Sequence, residues 1–429
     1  MRAEAEIGTG GAFMAGIRLY RGWRVVVGSG VGIGFGSAVF LSTAFPLILA
    51  AVASAYGWSQ SDVAKGASAA LLLQAIGYPA AGFLIDRFGS RKVAAASILL
   101  FALSLAALAA VAGSYGRYIG ACAAIGLLAS ATNMVGYARA ITYWFDARRG
   151  LALGVAAAFQ AIGAIGLPIV AEKLILTANW PTAVLAIAAF EALVCLPLVL
   201  WLVEDQPQGS SPEAPRPIRA AVGVAAETFR PSATFAKLAI AFAVMGFTFY
   251  AIVSNIVFIL THAGLDLKEI ARVQAIAGVS LLVGRVGFGR LLDRWTARAV
   301  GLATLAASAA FCFGLAFAHT HLMALAATAL GGLSIGGESD FLPYMAGRYW
   351  GRERISRAFG LFLIAFVLGA GLGPVVLAKL SEALGDAHAA LIGLGVLQII
   401  PAALFLTLPP YPRAQASAAP SQVRRERAP

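Results

Sequence analysis

Apolar stretches of about twenty residues recur almost from end to end of this chain, which is the length an α-helix needs to cross a bilayer. They fall at 24–50, 63–85, 93–113, 117–143, 149–171 and 181–203, then at 236–261, 270–290, 298–318, 321–347, 357–378 and 388–408. Composition agrees: 60% of residues are hydrophobic and 12% charged, where soluble domains carry about 25% charged residues. The fold class expected is an all-α membrane protein of twelve transmembrane helices, six and six.

In a soluble chain the net charge of +12 would suggest nucleic acid as partner, so position has to decide. Of the 32 Lys and Arg, 25 lie in the N-terminal segment, in alternate loops and in the tail, all on one side of the expected layout. Six lie on the other side (Lys65, Arg117, Lys173, Lys268, Arg272 and Lys379), and Arg285 is inside a span. The positive-inside rule makes the crowded side cytoplasmic, with both termini there. The expected location is the inner (cytoplasmic) membrane. The lipid bilayer, not nucleic acid, is the expected macroscopic partner. Met1 to Tyr20 mixes Glu4, Glu6 and Arg18 with glycines and lacks the apolar core of a cleaved signal, so insertion is expected to begin with the first span. Cys122, Cys195 and Cys312 lie apart within spans, and the four histidines sit at loop edges without ligand spacing. No disulfide, metal or cofactor is expected.

The domains follow from the span pattern. Residues 1–23 form a cytoplasmic segment, 24–203 the first six-helix bundle, 204–235 a linker, 236–408 the second bundle and 409–429 a disordered tail. The linker contains QPQGSSPEAPRP, too rich in Pro, Ser and Gly to bury a core. The bundles repeat each other. Gly82-Phe-Leu-Ile-Asp86-Arg87-Phe-Gly-Ser-Arg91 returns 207 residues later as Gly289-Arg-Leu-Leu-Asp293-Arg294-Trp-Thr-Ala-Arg298. At an offset of 206, Tyr143-Trp144, Arg148, Gly154, Gly163 and Pro168 pair with Tyr349-Trp350, Arg354, Gly360, Gly369 and Pro374. Parallel repeats with binding at their interface are a transporter design. The glycines from Gly28 to Gly36 lack dinucleotide-binding spacing; Gly28, Gly32 and Gly36 give a small helix face for close contact, as do Gly163 and Gly166.

GFLIDRFGSRK is a full match to the motif between the second and third helices of the major facilitator superfamily, and the chain resembles a twelve-helix secondary transporter of that superfamily. Within it, Phe45-Pro46, Tyr56-Gly57-Trp58-Ser59 and the run from Tyr143 to Gly154 resemble the monocarboxylate transporter branch and its bacterial relatives. The resemblance implies that Asp86 and Asp293 engage helix N-termini of the opposite half. Asp86 would face the eleventh helix near Arg354 and Arg357, and Asp293 the fifth near Arg148 and Arg149, which with Arg87, Arg91 and Arg294 makes a conformational gate. A topology-setting role for these charges is the plainer alternative.

Arg285 is the leading substrate-binding residue. An arginine within a span is costly and marks a functional site by default, and its forked donors match a carboxylate. It also resembles the substrate arginine of the eighth helix in the monocarboxylate branch; snorkelling toward the inner surface is the alternative. The chain departs from the proton-coupled members of that branch, which have a lysine and an aspartate where it has Leu47 and Leu281, and Phe359 to Pro374 holds no second cation. Glu338 and Asp340 are coupling candidates. They lie two residues apart and so about 200° apart around a helix, leaving one to face a cavity. Glu191 reads as scaffold. Tyr78, Asn133, Tyr137, Gln160 and Asn255 are further candidate cavity residues. The expected activity is alternating-access transport of a small organic anion, monocarboxylate-like, by a monomer, with a coupling proton as a candidate second ligand. The rivals are a drug or cation exporter using Glu338 or Asp340, and a non-transporting sensor or scaffold. An enzyme is disfavoured, because no nucleophile, base and orienting residue recur together near a span end.

Overall fold

The computed structural model describes residues 20–145, 149–205 and 232–409, and within its helices the side chains of Arg149, Asp293, Asp340 and residues 351–357 are among those outside that description. The expected linker and both terminal segments fall largely beyond these limits, as does Arg148.

The described residues are helical wherever they are regular. The first expected span is three pieces, α1 (Gly22–Phe35), α2 (Ser37–Ser42) and α3 (Ala44–Tyr56). α4 (Gln60–Phe88) and α5 (Ser90–Ala109) follow; the fourth span is α6 (Tyr115–Leu128), a 3-10 turn (Ser130–Thr132) and α7 (Met134–Trp144). α8 (Arg149–Thr177) is the fifth; the sixth is α9 (Trp180–Phe190), a π turn (Glu191–Cys195) and α10 (Leu196–Leu202). The second bundle comprises α11 (Ala233–His262), α12 (Leu267–Arg294), α13 (Ala297–Ala316), α14 (His321–Leu384), α15 (His388–Leu397) and α16 (Ile399–Leu406). Among the described residues, ten helical segments are long and apolar enough to cross a membrane. Two further expected spans are also helical: 117–143 is divided by its 3-10 turn, and 321–347 lies within α14.

The 64 helical residues of α14 do not run straight. Twelve residues of straight helix advance about 18 Å, yet the rings of Trp350 and Phe362 lie 5.5 Å apart. The chain therefore turns back between them, and α14 supplies both the tenth and eleventh crossings. Leu193, Leu322 and Trp201 are 75%, 72% and 67% exposed, a surface suited to lipid rather than water.

The core is not distributed evenly. At the end away from the basic loops, both halves share one core, running from Phe45, Leu71, Phe101, Ile125 and Leu167 to Ile256, Ile270, Phe311, Leu377 and Leu391. At the basic end the halves are packed separately. Val26, Ile98, Ile141 and Val199 belong to a core of the first half alone. Phe242, Val300, Phe341, Phe362 and Phe405 belong to one of the second. The halves are thus joined in one core at the far end, and among the described residues each keeps its own core toward the basic end.

The duplicated positions make duplicated contacts. Gly163 in α8 meets the backbone of Gly34 in α1, and Gly369 in α14 meets that of Ala243 in α11. The aromatic pairs do likewise: Trp144 Nε1 donates to Glu204 O at 3.0 Å and Tyr349 Oη to Pro409 O at 2.7 Å, each holding the last residues of its own half. Small-face expectations hold only in part. Gly28, Gly32 and Gly36 pack against Leu202, Tyr137 and Thr132, whereas a Cβ on Gly166 would meet nothing within 4 Å.

Candidate functional site

Arg285 projects from α12 toward the first half, at the edge of the core that the two halves share. Its Nη2 donates to Gln160 Oε1 of α8, across the interface. One turn further along α8, Ala164 belongs to the shared far-end core and packs against Gly278 of α12. The Arg285–Gln160 contact therefore stands at the edge of the shared core, one turn from dry packing. α12 and the tenth crossing approach closely here, because Gly284 and Gly336 put backbone against backbone: a Cβ on Gly336 would lie 2.9 Å from the Arg285 amide nitrogen.

The second group of polar residues arises from two broken helices. At Gly36 the backbone becomes extended (φ −65°, ψ 177°), ending α1, and at Asn133 it does the same (φ −99°, ψ 179°) between the 3-10 turn and α7. Each break exposes amides, and those of the first are satisfied by residues at the second. Thr132 Oγ1 accepts from Ser37 N at 2.9 Å, and Asn133 Oδ1 from Ala38 N at 3.2 Å. Asn133 Nδ2 donates to Ser37 Oγ and to Tyr78 Oη, both at 3.3 Å, while Gln74 Nε2 reaches Ser37 Oγ at 3.0 Å. Non-helical backbone at membrane depth is stable only where such partners or a wet cavity surround it.

Not every candidate joins these groups. Asn255 is 1% exposed and lies in the far-end packing, its Nδ2 donating to Ala251 O and Pro374 O and its Oδ1 accepting from Gln60 Nε2 at 2.7 Å. Tyr137 is fully buried in the core of the first half, its hydroxyl against Gly32. Glu338 is 1% exposed, and its Oε1 accepts from Ser334 Oγ at 3.2 Å; that serine also donates to Thr304 O of α13. Glu338 thus faces α13 inside the second half. The side chain of Asp340 lies outside the described residues.

Around the expected gate, Asp86 pairs with Arg139 Nη1 at 3.3 Å, and the same nitrogen donates to Ile85 O at 2.8 Å. Arg139 was not among the expected gate residues. Arg87 is exposed over the Phe88 ring and Arg91 is exposed, as is Arg294. The side chains of Asp293 and Arg354 lie outside the described residues, and Arg148 lies wholly outside them. Asp205 is a participant that motif reading passed over. Its Oδ1 accepts from Ser90 N at 2.6 Å and Arg91 N at 3.2 Å, capping α5 just after the left-handed Gly89 (φ 87°). A capping role for an acidic residue at a linker boundary was open to inference from the sequence, but its target was not.

Comparison with known proteins identifies the architecture. The sequence model of the Major Facilitator Superfamily matches residues 30–337 and 238–428. The chain belongs to the major facilitator superfamily. It is 27% identical over 379 residues to an MFS-type transporter of Gibberella moniliformis (strain M3125 / FGSC 7600), spanning 86% of this chain and 85% of that protein. It is 29% identical over 167 residues to MFS-type transporter 1 of Ophiocordyceps sp. (strain BCC 1869), spanning 38% and 35%. In fold it is similar to a bacterial homologue of the human lysosomal transporter Spinster, solved in an inward-facing and occupied conformation, with a TM-score of 0.67 at 15% identity over 91% of this chain and 97% of that one. A two-bundle, all-helical membrane protein of this superfamily is a transporter rather than a catalytic enzyme. The monocarboxylate branch is not singled out by these relatives.

Proposed function

We propose that the chain is a secondary active transporter that carries a small organic anion across the cytoplasmic membrane by alternating access, with Arg285 as the anion-binding group. The observation that carries this reading is the position of Arg285 between the halves at the edge of their shared core, bonded to Gln160 of the opposite half. A guanidinium there presents forked donors to a carboxylate and makes a charge-assisted pair, about twice as strong as a neutral hydrogen bond. Substrate binding would then change a contact between the halves, which is what couples binding to rocking. The basic end is cytoplasmic by the charge distribution, which puts both termini inside, and the core that the halves share at the far end makes this a form closed toward the outside.

The polar group of Tyr78 and Asn133, with Gln160, supplies hydrogen-bonding capacity at the same depth. Asp86, Arg87, Arg91, Asp293, Arg294, Arg148 and Arg354 would form the cytoplasmic gate in the opposite form; the Asp86–Arg139 pair then holds the aspartate while that gate is open. Glu338 and Asp340 stay as coupling candidates. Cation export through Glu338 has less support, since its carboxyl points toward α13 within one half.

The test is uptake of a panel of labelled monocarboxylates and small aromatic acids into proteoliposomes. Arg285→Ala and Arg285→Lys should lose at least about tenfold in rate, the loss of one forked ionic contact, with unchanged reconstitution. Parental uptake in both variants refutes the assignment. Transport of lipophilic cations in place of acids refutes the anion reading.

A further inference from the structure

The far end carries a contact between the halves that no loop motif announces. α4 begins at Gln60 after the cap Ser59, whose Oγ accepts from Asp62 N at 3.1 Å and whose carbonyl accepts from Val63 N at 3.2 Å. The amide of Ser61 has no partner in its own half; it donates to Glu382 Oε1 at 2.7 Å, from α14 in the other half. The neighbouring residue Gln60 also crosses the interface, to Asn255 Oδ1 on α11, and Asn255 is anchored on Pro374 O of α14. Two successive residues of α4 are thereby tied to the two far-end helices α11 and α14. A carboxylate at a helix N-terminus gains from both the free amide and the helix dipole. A cavity of about 440 Å³ lies beside the contact, lined by Gln60, Phe258, His262, Ser381, Glu382 and Asp386 among others. The Glu382 side chain can therefore leave the amide without unpacking the core beneath it.

We propose that Glu382 is the lock of the far-end gate, holding the halves closed there by capping α4 across the interface, with Gln60–Asn255 as its second bolt. The proposal rests on the alternating-access reading. Opening the far end exchanges the Ser61–Glu382 and Gln60–Asn255 bonds for water. Closing it re-forms a second cap contact at the α4 N-terminus, on the Ser61 amide that Ser59 leaves unfilled, which makes Glu382 a positioning residue that weights the two conformers without touching substrate.

The experiment measures distances between spin labels by pulsed electron resonance in the full chain, without substrate. One pair, at Lys173 and Lys268, reports the far end; a second, at Lys92 and Trp295, reports the basic end, and the three native cysteines are buried. Glu382→Ala should raise the far-end-open population about three- to tenfold, the range of a lost N-terminal cap, with a matching shortening at the basic end. Glu382→Gln keeps an acceptor oxygen and loses the charge, so it should shift the population less. Unchanged distances in both variants overturn the proposal, as does a tightened far end in Glu382→Ala. Because no substrate is used, a flat uptake screen, which would count against the transport reading, is registered separately.

Discussion

Replacing Gly163 by alanine tests whether the α1–α8 contact is as tight as the backbone geometry makes it. The added Cβ would overlap the carbonyl oxygen of Gly34, well inside the 3.0 Å that real Cβ atoms respect, and the atom in the way is backbone rather than a movable side chain. One helix must retreat by more than about 1 Å, and overpacking of that kind costs about 1–3 kcal/mol. Removing a mid-helix glycine returns about 1 kcal/mol of helix propensity. The net is about 0–2 kcal/mol of destabilisation if the helices yield, and more if they cannot. Gly166 on the same helix supplies the control. Its Cβ would meet nothing within 4 Å, so Gly166→Ala should show only the propensity gain, up to about 1 kcal/mol. The assay is loss of the monodisperse peak after heating detergent-solubilised protein, with both variants measured side by side. Gly163→Ala should melt below the parent and Gly166→Ala at or above it. Equal midpoints for the two variants would refute the reasoning.

Asp205→Ala should free the Ser90 and Arg91 amides and lower thermal stability by about 1 kcal/mol, an N-cap's worth; in the same heating assay an unchanged midpoint would argue against a cap. Asn133→Leu removes the acceptor for Ala38 N and the donors to Ser37 and Tyr78, so it should destabilise the broken helices by about 2 kcal/mol, seen as faster hydrogen exchange at residues 37–40 than at residues 101–105. Exchange that stays equal at both places would mean the breaks do not depend on Asn133.

The motif loop shows where local reading succeeds. Asp86 and Arg91 sit at the ends of α4 and α5, between the second and third crossings as the motif implies. Arg285 was legible because a charge within an apolar span has to face protein or water, whoever its neighbour is. Its bond to Gln160, 125 residues away, was not legible. Helical periodicity orders residues around one axis and says nothing of what stands opposite. For the same reason Asn255 and Tyr78, alike as polar residues in apolar helices, ended at different depths. Asn255 went to the far-end packing and Tyr78 to the broken helices.

The two partners of each break illustrate the same limit from the backbone side. The run of glycines at 28–36 permits an interruption, but α1 ends at Gly36 because Thr132 and Asn133, about a hundred residues on, receive the amides it exposes. Sequence determined what the solvent demands of each segment alone: twelve apolar stretches, a charge bias, a duplicated motif and one costly arginine. Only the tertiary structure decided which breaks are tolerated, which carboxylate caps which helix and which end of the halves is joined. Those outcomes depend on pairings between distant segments, where a hydrogen bond or a methyl-sized space between two helices selects one arrangement and no single helix carries the information.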